Sequence, residues 1–204
     1  MITTSKAMRI SKEKAAENRA ALIRAASKLF RERGIDGVGV AEISKEAGLT
    51  HGALYAHFKS KEELALEALS YGFEQTQARM FASTVDGMPD LAAYLDYYLS
   101  SEDGKQYGAR CPMSAAASEI GRQDRAISVR FTEGYMVMVR AFERQISVDR
   151  PGEDALARAM VVVGALIGSM SVARGVAKAN PALSEQVLKA ARQIVDELMQ
   201  SKAG

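Results

Sequence analysis

Residues Gly37 to Lys61 read G-V-G-V-A-E-I-S-K-E-A-G-L-T-H-G-A-L-Y-A-H-F-K-S-K, and the fold turns on this stretch. Val40, Ile43 and Ala47 recur at spacings of three and four, the apolar face of one short helix. Gly48 breaks it, Leu49 plugs the turn, and Thr50 offers an N-cap to a second short helix from about His51 to Phe58. Leu54 and Phe58 then face inward. Two helices joined by a short glycine-containing turn form a helix-turn-helix, here at about residues 39–58, whose second helix enters the major groove of double-stranded DNA. His51, Gly52 and Ala53 open that helix with small or hydrogen-bonding groups that can approach base edges, and Thr50 just before them is a further DNA-binding candidate. Tyr55, His57, Lys59 and Lys61 follow, all able to donate to phosphate oxygens.

Charge points the same way. The chain is almost balanced, with 27 Lys/Arg against 25 Asp/Glu, but the charges are unevenly spread. Residues 1–61 hold 12 basic and 6 acidic side chains, whereas residues 62–204 hold 15 and 19. A basic amino-terminal third on a mildly acidic remainder is the footprint of a domain that meets polyanions, although a solvated helical face carries such charge too.

At 204 residues the chain has room for one or two domains with ample cores, and its few Gly and Pro sit mostly between periodic segments, which favours an all-α fold. Residues 1–14 are polar and basic, so no signal peptide is expected. The most apolar run, 159–173, falls short of the ~20 residues a membrane span needs. With one Cys no intrachain disulfide is possible, in keeping with a reducing cytoplasm. The two histidines, His51 and His57, both lie in the DNA-reading helix and are too few for a metal site. No Gly-rich phosphate loop, nucleophile elbow or acid/base pair stands out, so neither catalytic residues nor a cofactor are expected, and the chain does not read as an enzyme.

Periodicity predicts about nine helices. The first spans about 13–34, with Ala21, Leu22, Ala25, Ala26, Leu29 and Phe30 on one face and Gly34 as its stop. After the helix-turn-helix, Ser60 and Glu63 make a capping box for a long fourth helix reaching about Ala82. The loop Asp86-Gly87-Met88-Pro89 precedes a fifth helix at about 89–101, and 101–110 reads as a polar loop. The remaining four helices are expected at about 112–121, 123–147, 153–177 and 180–199, with Pro112 opening the sixth.

The stretch A-G-L-T-H-G-A-L-Y-A-H-F followed by K-S-K-E-E-L resembles the DNA-binding domain of the TetR family of bacterial transcriptional regulators (TetR/AcrR type), over about residues 19–70. That resemblance implies a DNA-binding domain at 1–61 and an effector-binding and dimerisation domain at 62–204. It implies a homodimer on a palindromic operator, a repressor released by a small, partly hydrophobic effector. Two departures weaken particular contacts. Gly39 stands where many relatives place a Thr or Ser that caps the second helix and touches phosphate, and Ala56 replaces a larger residue after the tyrosine.

The eighth helix is apolar nearly all round from Ala159 to Val172, which means burial on every side, and it carries Gly164 and Gly168. The ninth shows a wide stripe including Val187, Ala191, Ile194 and Leu198. Both could fill the chain's own core; the resemblance makes them the dimer interface, a four-helix bundle across a two-fold axis. It likewise places an effector cavity within the fourth to eighth helices. Met80, Tyr94, Tyr97, Tyr98, Phe131, Tyr135, Met138 and Phe142 are candidate lining residues, with ordinary core packing as the alternative.

Cys111 sits between Arg110 and Pro112 at the start of the sixth helix, where a helix N-terminus and a guanidinium lower a thiol pKa. R-C-P-M-S-A-A-A-S-E resembles a subset of TetR-like regulators, some of which respond to electrophiles or oxidants; a buried, inert thiol is the alternative. Two further readings stay open: control of the same DNA function by Cys111, and a helical ligand-binding protein or enzyme with no DNA function.

Overall fold

A computed structural model describes residues 3–100, 111–152 and 154–200, with side chains from Lys12 onward. Its helices are α1 (Thr3–Arg33), α2 (Val40–Glu46), α3 (His51–Tyr55), α4 (Lys61–Met80), α5 (Leu91–Leu99), α6 (Pro112–Ile120), α7 (Arg125–Asp149), α8 (Ala155–Ala177) and α9 (Pro181–Met199). The all-α layout expected from periodicity is therefore present. The anticipated polar loop at 101–110 lies outside the described residues.

Boundaries differ where local chemistry was misjudged. α1 begins ten residues before its expected start, because no Gly or Pro interrupts residues 3–33. The segment read as a loop at 86–89 belongs to a two-stranded hairpin, β1 (Thr84–Val85) against β2 (Met88–Pro89). Asp86 and Gly87 have φ of 51° and 78°, the two left-handed positions of an Asp-Gly hairpin turn.

The turn between α2 and α3 explains why Gly48 is where it is. The Gly48 N–H donates to Lys45 O at 3.0 Å and the Leu49 N–H to Ser44 O at 2.8 Å. This pair is a Schellman stop and requires the left-handed residue in the penultimate place, supplied by Gly48 at φ 69°. Thr50 occupies the N-cap of α3, but its hydroxyl makes no capping bond. α3 also ends earlier than expected, at Tyr55; the His57 and Phe58 N–H groups both turn back to Leu54 O at 2.9 Å. That turn drives Phe58 into the core, under the guanidinium of Arg19 at 5.0 Å from the ring centroid.

Leu22, Ala26, Phe30, Val38, Ile43, Leu54 and Phe58 make the core of the amino-terminal domain. Fully burying each large apolar side chain contributes about 1.5–3 kcal/mol. The part-exposed pairs Lys28–Glu46, Arg33–Glu42 and Arg19–Glu67 tie its helices but contribute about 0–1 kcal/mol apiece. Packing, not ion pairing, holds this domain. α4 leaves it through Ser60, whose Oγ accepts the Glu63 N–H at 3.2 Å. The reciprocal half of the capping box is shifted by one residue, since the Glu63 carboxylate accepts the Lys59 N–H at 2.6 Å.

In the carboxyl-terminal bundle α8 runs between α7 and α9. Ala159, Val162, Val163, Leu166, Met170 and Ala173 are buried there. The expectation of burial on every side is corrected: Val161, Gly164, Gly168 and Val172 face solvent in the single chain. α8 is also long and apolar enough to cross a membrane by length and composition, contrary to the sequence reading, yet here it packs lengthwise on its neighbours.

Candidate nucleic-acid interface

α3 presents an outward face of Thr50, His51, Gly52 and Tyr55, all exposed, with Ala53 and His57 half-buried beside it. Leu54, pointing the other way, anchors the helix with no exposure at all. Gly52 has open space where a Cβ would lie, so the backbone there can come close to a ligand. The His51 and Tyr55 rings meet edge to face at 5.3 Å, which fixes the Tyr55 phenol at the rim of that face. Lys59 is exposed and Lys61 half-buried at the start of α4. Arg33, Lys28 and Arg19 on α1 pair with Glu42, Glu46 and Glu67. The side chains of Lys59 and Lys61 form no salt bridge among the described residues. Lys59 and Lys61 thus place positive charge beside the exposed face of α3, and donors flank a helix slim enough for a major groove.

Sequence reading missed the contacts that seat this domain on the bundle. The Glu119 carboxylate on α6 accepts the Ile35 N–H at 2.6 Å and fills the space beside Gly34, whose φ of 77° already demands glycine. Gln123 donates to Asp36 at 2.8 Å. Arg174 on α8 donates to the Arg31 carbonyl at 2.8 Å, capping the last turn of α1. Each joins residues 84 to 143 positions apart, and no local pattern announces such pairs.

The proposed pocket residues are dispersed and tightly packed. Met80, Tyr94, Tyr98, Met138 and Phe142 are buried, while Tyr97, Phe131 and Tyr135 are half-buried. The void that Met138 lines with Phe73, Cys111 and Gly134 holds only about 10 Å³, room for no more than a water molecule. Larger concavities of about 470 and 430 Å³ are open surface grooves, one beside the hairpin and α9, the other along α7 at Phe81 and Val137. None of the eight candidates lines either groove.

Cys111 is the N-cap of α6, but its side chain is fully buried. Burial pushes the thiol pKa up, outweighing the Tyr98 hydroxyl and the Ser114 and Met113 N–H groups, which pull it down. The lowering expected from a helix N-terminus is therefore overridden, and Arg110 lies outside the described residues. Burial also raises the Tyr94 and Tyr98 phenols well above their ordinary range.

Of the expected dimer residues, Gly164 and Gly168 are exposed, and a Cβ on either would meet nothing within 4 Å. Ile194 is 50% exposed, and Val187 and Leu198 are half-buried. Ala191 instead points into its own bundle at 8% exposure, leaving Ala190 on the open stripe.

The profile of the family described as "Bacterial regulatory proteins, tetR family" matches residues 22–68. The chain is 42% identical over 69 residues to the HTH-type transcriptional regulator TtgR of Pseudomonas putida, a match covering 34% of this chain and 32% of that protein. It is 27% identical over 157 residues to the HTH-type transcriptional regulator LmrA of Bacillus subtilis, covering 74% and 82% of the two. In the first relatives matched, YuxN of Bacillus subtilis and TtgR, the chain spans about a quarter to a third of their length. The fold is similar to that of the reduced form of Escherichia coli NemR, with a TM-score of 0.70 at 18% identity over 92% of this chain and 99% of that one. The sequence match falls on the helix-turn-helix and the fold match spans the whole bundle: residues 22–68 of the chain match the tetR family of bacterial regulatory proteins.

Proposed function

We propose that this protein is a homodimeric DNA-binding transcriptional regulator, a repressor that leaves a palindromic operator when a small, partly hydrophobic effector binds its carboxyl-terminal bundle. The observation that carries the reading is the outward face of α3, exposed and flanked by Lys59 and Lys61, on a domain matched by a family of regulators. His51, Gly52 and Ala53 approach base edges; Thr50, Tyr55, His57, Lys59 and Lys61 hold phosphates. The open stripes of α8 and α9 supply the two-fold contact, since small residues on one and Leu183, Val187 and Ile194 on the other leave an apolar surface with no partner in the single chain. The buried, proton-retaining thiol of Cys111 favours effector control over electrophile control.

Selection from a random pool of duplexes tests this. The expected product is an inverted repeat whose half-site centres lie about 34–36 Å apart or a multiple of that. A pool that stays unenriched, or enriches single half-sites only, would refute the dimeric operator reading.

A further inference from the structure

Two buried hydrogen-bond donors near the junction of the two domains have no acceptor, the Tyr94 hydroxyl and Arg31 Nε, and the Tyr98 hydroxyl has only the poorly accepting Cys111 sulfur beside it. Tyr94 and Tyr98 are successive turns of α5 with ring centroids 5.7 Å apart, 3% and 0% exposed. Arg174, on α8, lies within electrostatic reach of Tyr98 and Cys111 and bonds the last carbonyls of α1, those of Arg31 and Glu32. Arg31 and Arg174 form no ion pair among the described residues. Orphaned buried donors are rare, because each loses its bonds to water and gains nothing. The groups that act on Tyr94 and Tyr98 are neighbouring phenols, a protonated thiol and the Arg174 guanidinium, with no carboxylate side chain among them. Such a lining repels cations and leaves amide-like ligands half satisfied. It suits an acceptor-only, negatively charged group.

We propose that the effector of this regulator carries a carboxylate, and that the carboxylate seats on the hydroxyls of Tyr94 and Tyr98 and the guanidinium of Arg174. This inference rests on the reading of an effector-controlled regulator given above. Its consequence is direct. A carboxylate that takes donors from Arg174 competes with the Arg31 carbonyl, and the last turn of α1 loses its cap just before the helix-turn-helix. In the ligand-free packing the site is closed, so binding must part α5 from α6.

The test uses the whole protein without DNA. Octanoate and 4-phenylbutyrate, each beside its own carboxamide, are titrated while the thermal midpoint and calorimetric heat are read. The carboxylates are expected to raise the midpoint and the amides to leave it unchanged. A Tyr94→Phe protein is expected to melt higher than wild type when ligand-free, since it loses an unsatisfied hydroxyl, and a Tyr94→Phe/Tyr98→Phe protein to bind the carboxylates at least tenfold more weakly. Arg174→Gln is expected to weaken them similarly. A lower ligand-free midpoint for Tyr94→Phe would overturn the proposal, because that hydroxyl would then be bonded in the free protein. So would amides that bind as well as carboxylates, or carboxylates that do not bind at all. Failure of wild type to bind any duplex would refute the regulator reading and leave these binding results standing.

Discussion

Replacing Gly164 or Gly168 by Leu separates an intermolecular seam from a monomer core. Both glycines lie on the exposed stripe of α8, and a Cβ built on either meets nothing within 4 Å, so within one chain the larger side chain costs little. Gly→Leu even improves intrinsic helix propensity, by roughly 0.5–1 kcal/mol. Across a close two-fold contact the same change overpacks, at about 1–3 kcal/mol per site, and symmetry supplies two sites. The association free energy should then fall by about 2–6 kcal/mol, which is roughly 30-fold to more than 10⁴-fold in the dimer dissociation constant. Sedimentation equilibrium at micromolar protein reads the constant, and circular dichroism reads the helix content of the dissociated chain. The expected result is a helical, folded monomer with weak operator binding. Wild-type dimerisation in both variants would remove these glycines from the interface, and an unfolded monomer would show that the stripe is not free space.

Lys61→Ala should weaken binding to all duplexes alike and lower the salt slope by about one unit per half-site, as expected for a lost phosphate contact; an unchanged slope in a salt titration would take Lys61 out of the interface. Cys111→Ser should respond to effector like wild type, and a quinone at sub-denaturing dose should not release DNA from either protein; release by quinone that Cys111→Ser abolishes would show the thiol to be the sensor. Gly134→Ala should cost on the order of 1–3 kcal/mol in denaturant unfolding, because the new methyl would stand within 2.6–2.9 Å of the Phe73 ring; a neutral result would mean that Phe73 is loosely held. Stability should be level at neutral pH and fall as the solution becomes alkaline. The Cys111, Tyr94 and Tyr98 groups bind protons more tightly when folded, so the stability they give is present below their ordinary pKa values and lost above them; Tyr94→Phe/Tyr98→Phe should flatten that fall in melts at rising pH.

What the sequence disclosed was whatever chemistry acts over a few residues. Gly34 and Gly48 announce left-handed stops, Ser60 a cap, and Leu22 to Phe30 a periodic face, and each appears in place. The hairpin was legible in principle, since Asp86-Gly87 is a strong turn signal, but strands of two residues carry no alternation to read. The burial of Cys111 was not legible. Helix-terminal position is a local fact that argues for a reactive thiol, whereas burial depends on what packs over it, including Phe73 of α4 and Met138 of α7, and burial wins. The same limit applies to the aromatic candidates. Their helical spacing put Phe131, Tyr135, Met138 and Phe142 on one side of α7, yet spacing cannot distinguish a cavity wall from a filled core, and here Met138 and Phe142 are packed solid. Ala191 against Ala190 is a smaller case: two adjacent small residues on a wide stripe, with the crossing of α8 and α9 deciding which is inside.

The proposed regulation needs a part stiff enough to carry a displacement to α3, and α6 fits better than α4 alone. α6 is nine residues long, about 13 Å at the helical rise, and both its ends are engaged. At one end Cys111 touches the environment of Tyr98, and the Ser114 hydroxyl bonds back to the Cys111 carbonyl at 3.0 Å, locking the first turn. At the other, Glu119 grips the Ile35 N–H beside Gly34, where substitution would clash as well as strain the backbone. Between them Ser171 donates to Ser114 O at 2.8 Å, so α6 is also pinned to α8. A ligand that parts α5 from α6 by displacing α6 must therefore rotate α6 about that pin or break it. Either way the Glu119 end pulls on the α1–α2 turn that orients the helix-turn-helix. α4, by contrast, has its N-terminus seated on Ser60 only three residues beyond the turn that follows α3, so it transmits translation along its own axis but gives little leverage on the tilt of α1. A change of tilt is what alters the separation of two α3 helices across a dimer axis, and that separation is what a palindromic operator reads.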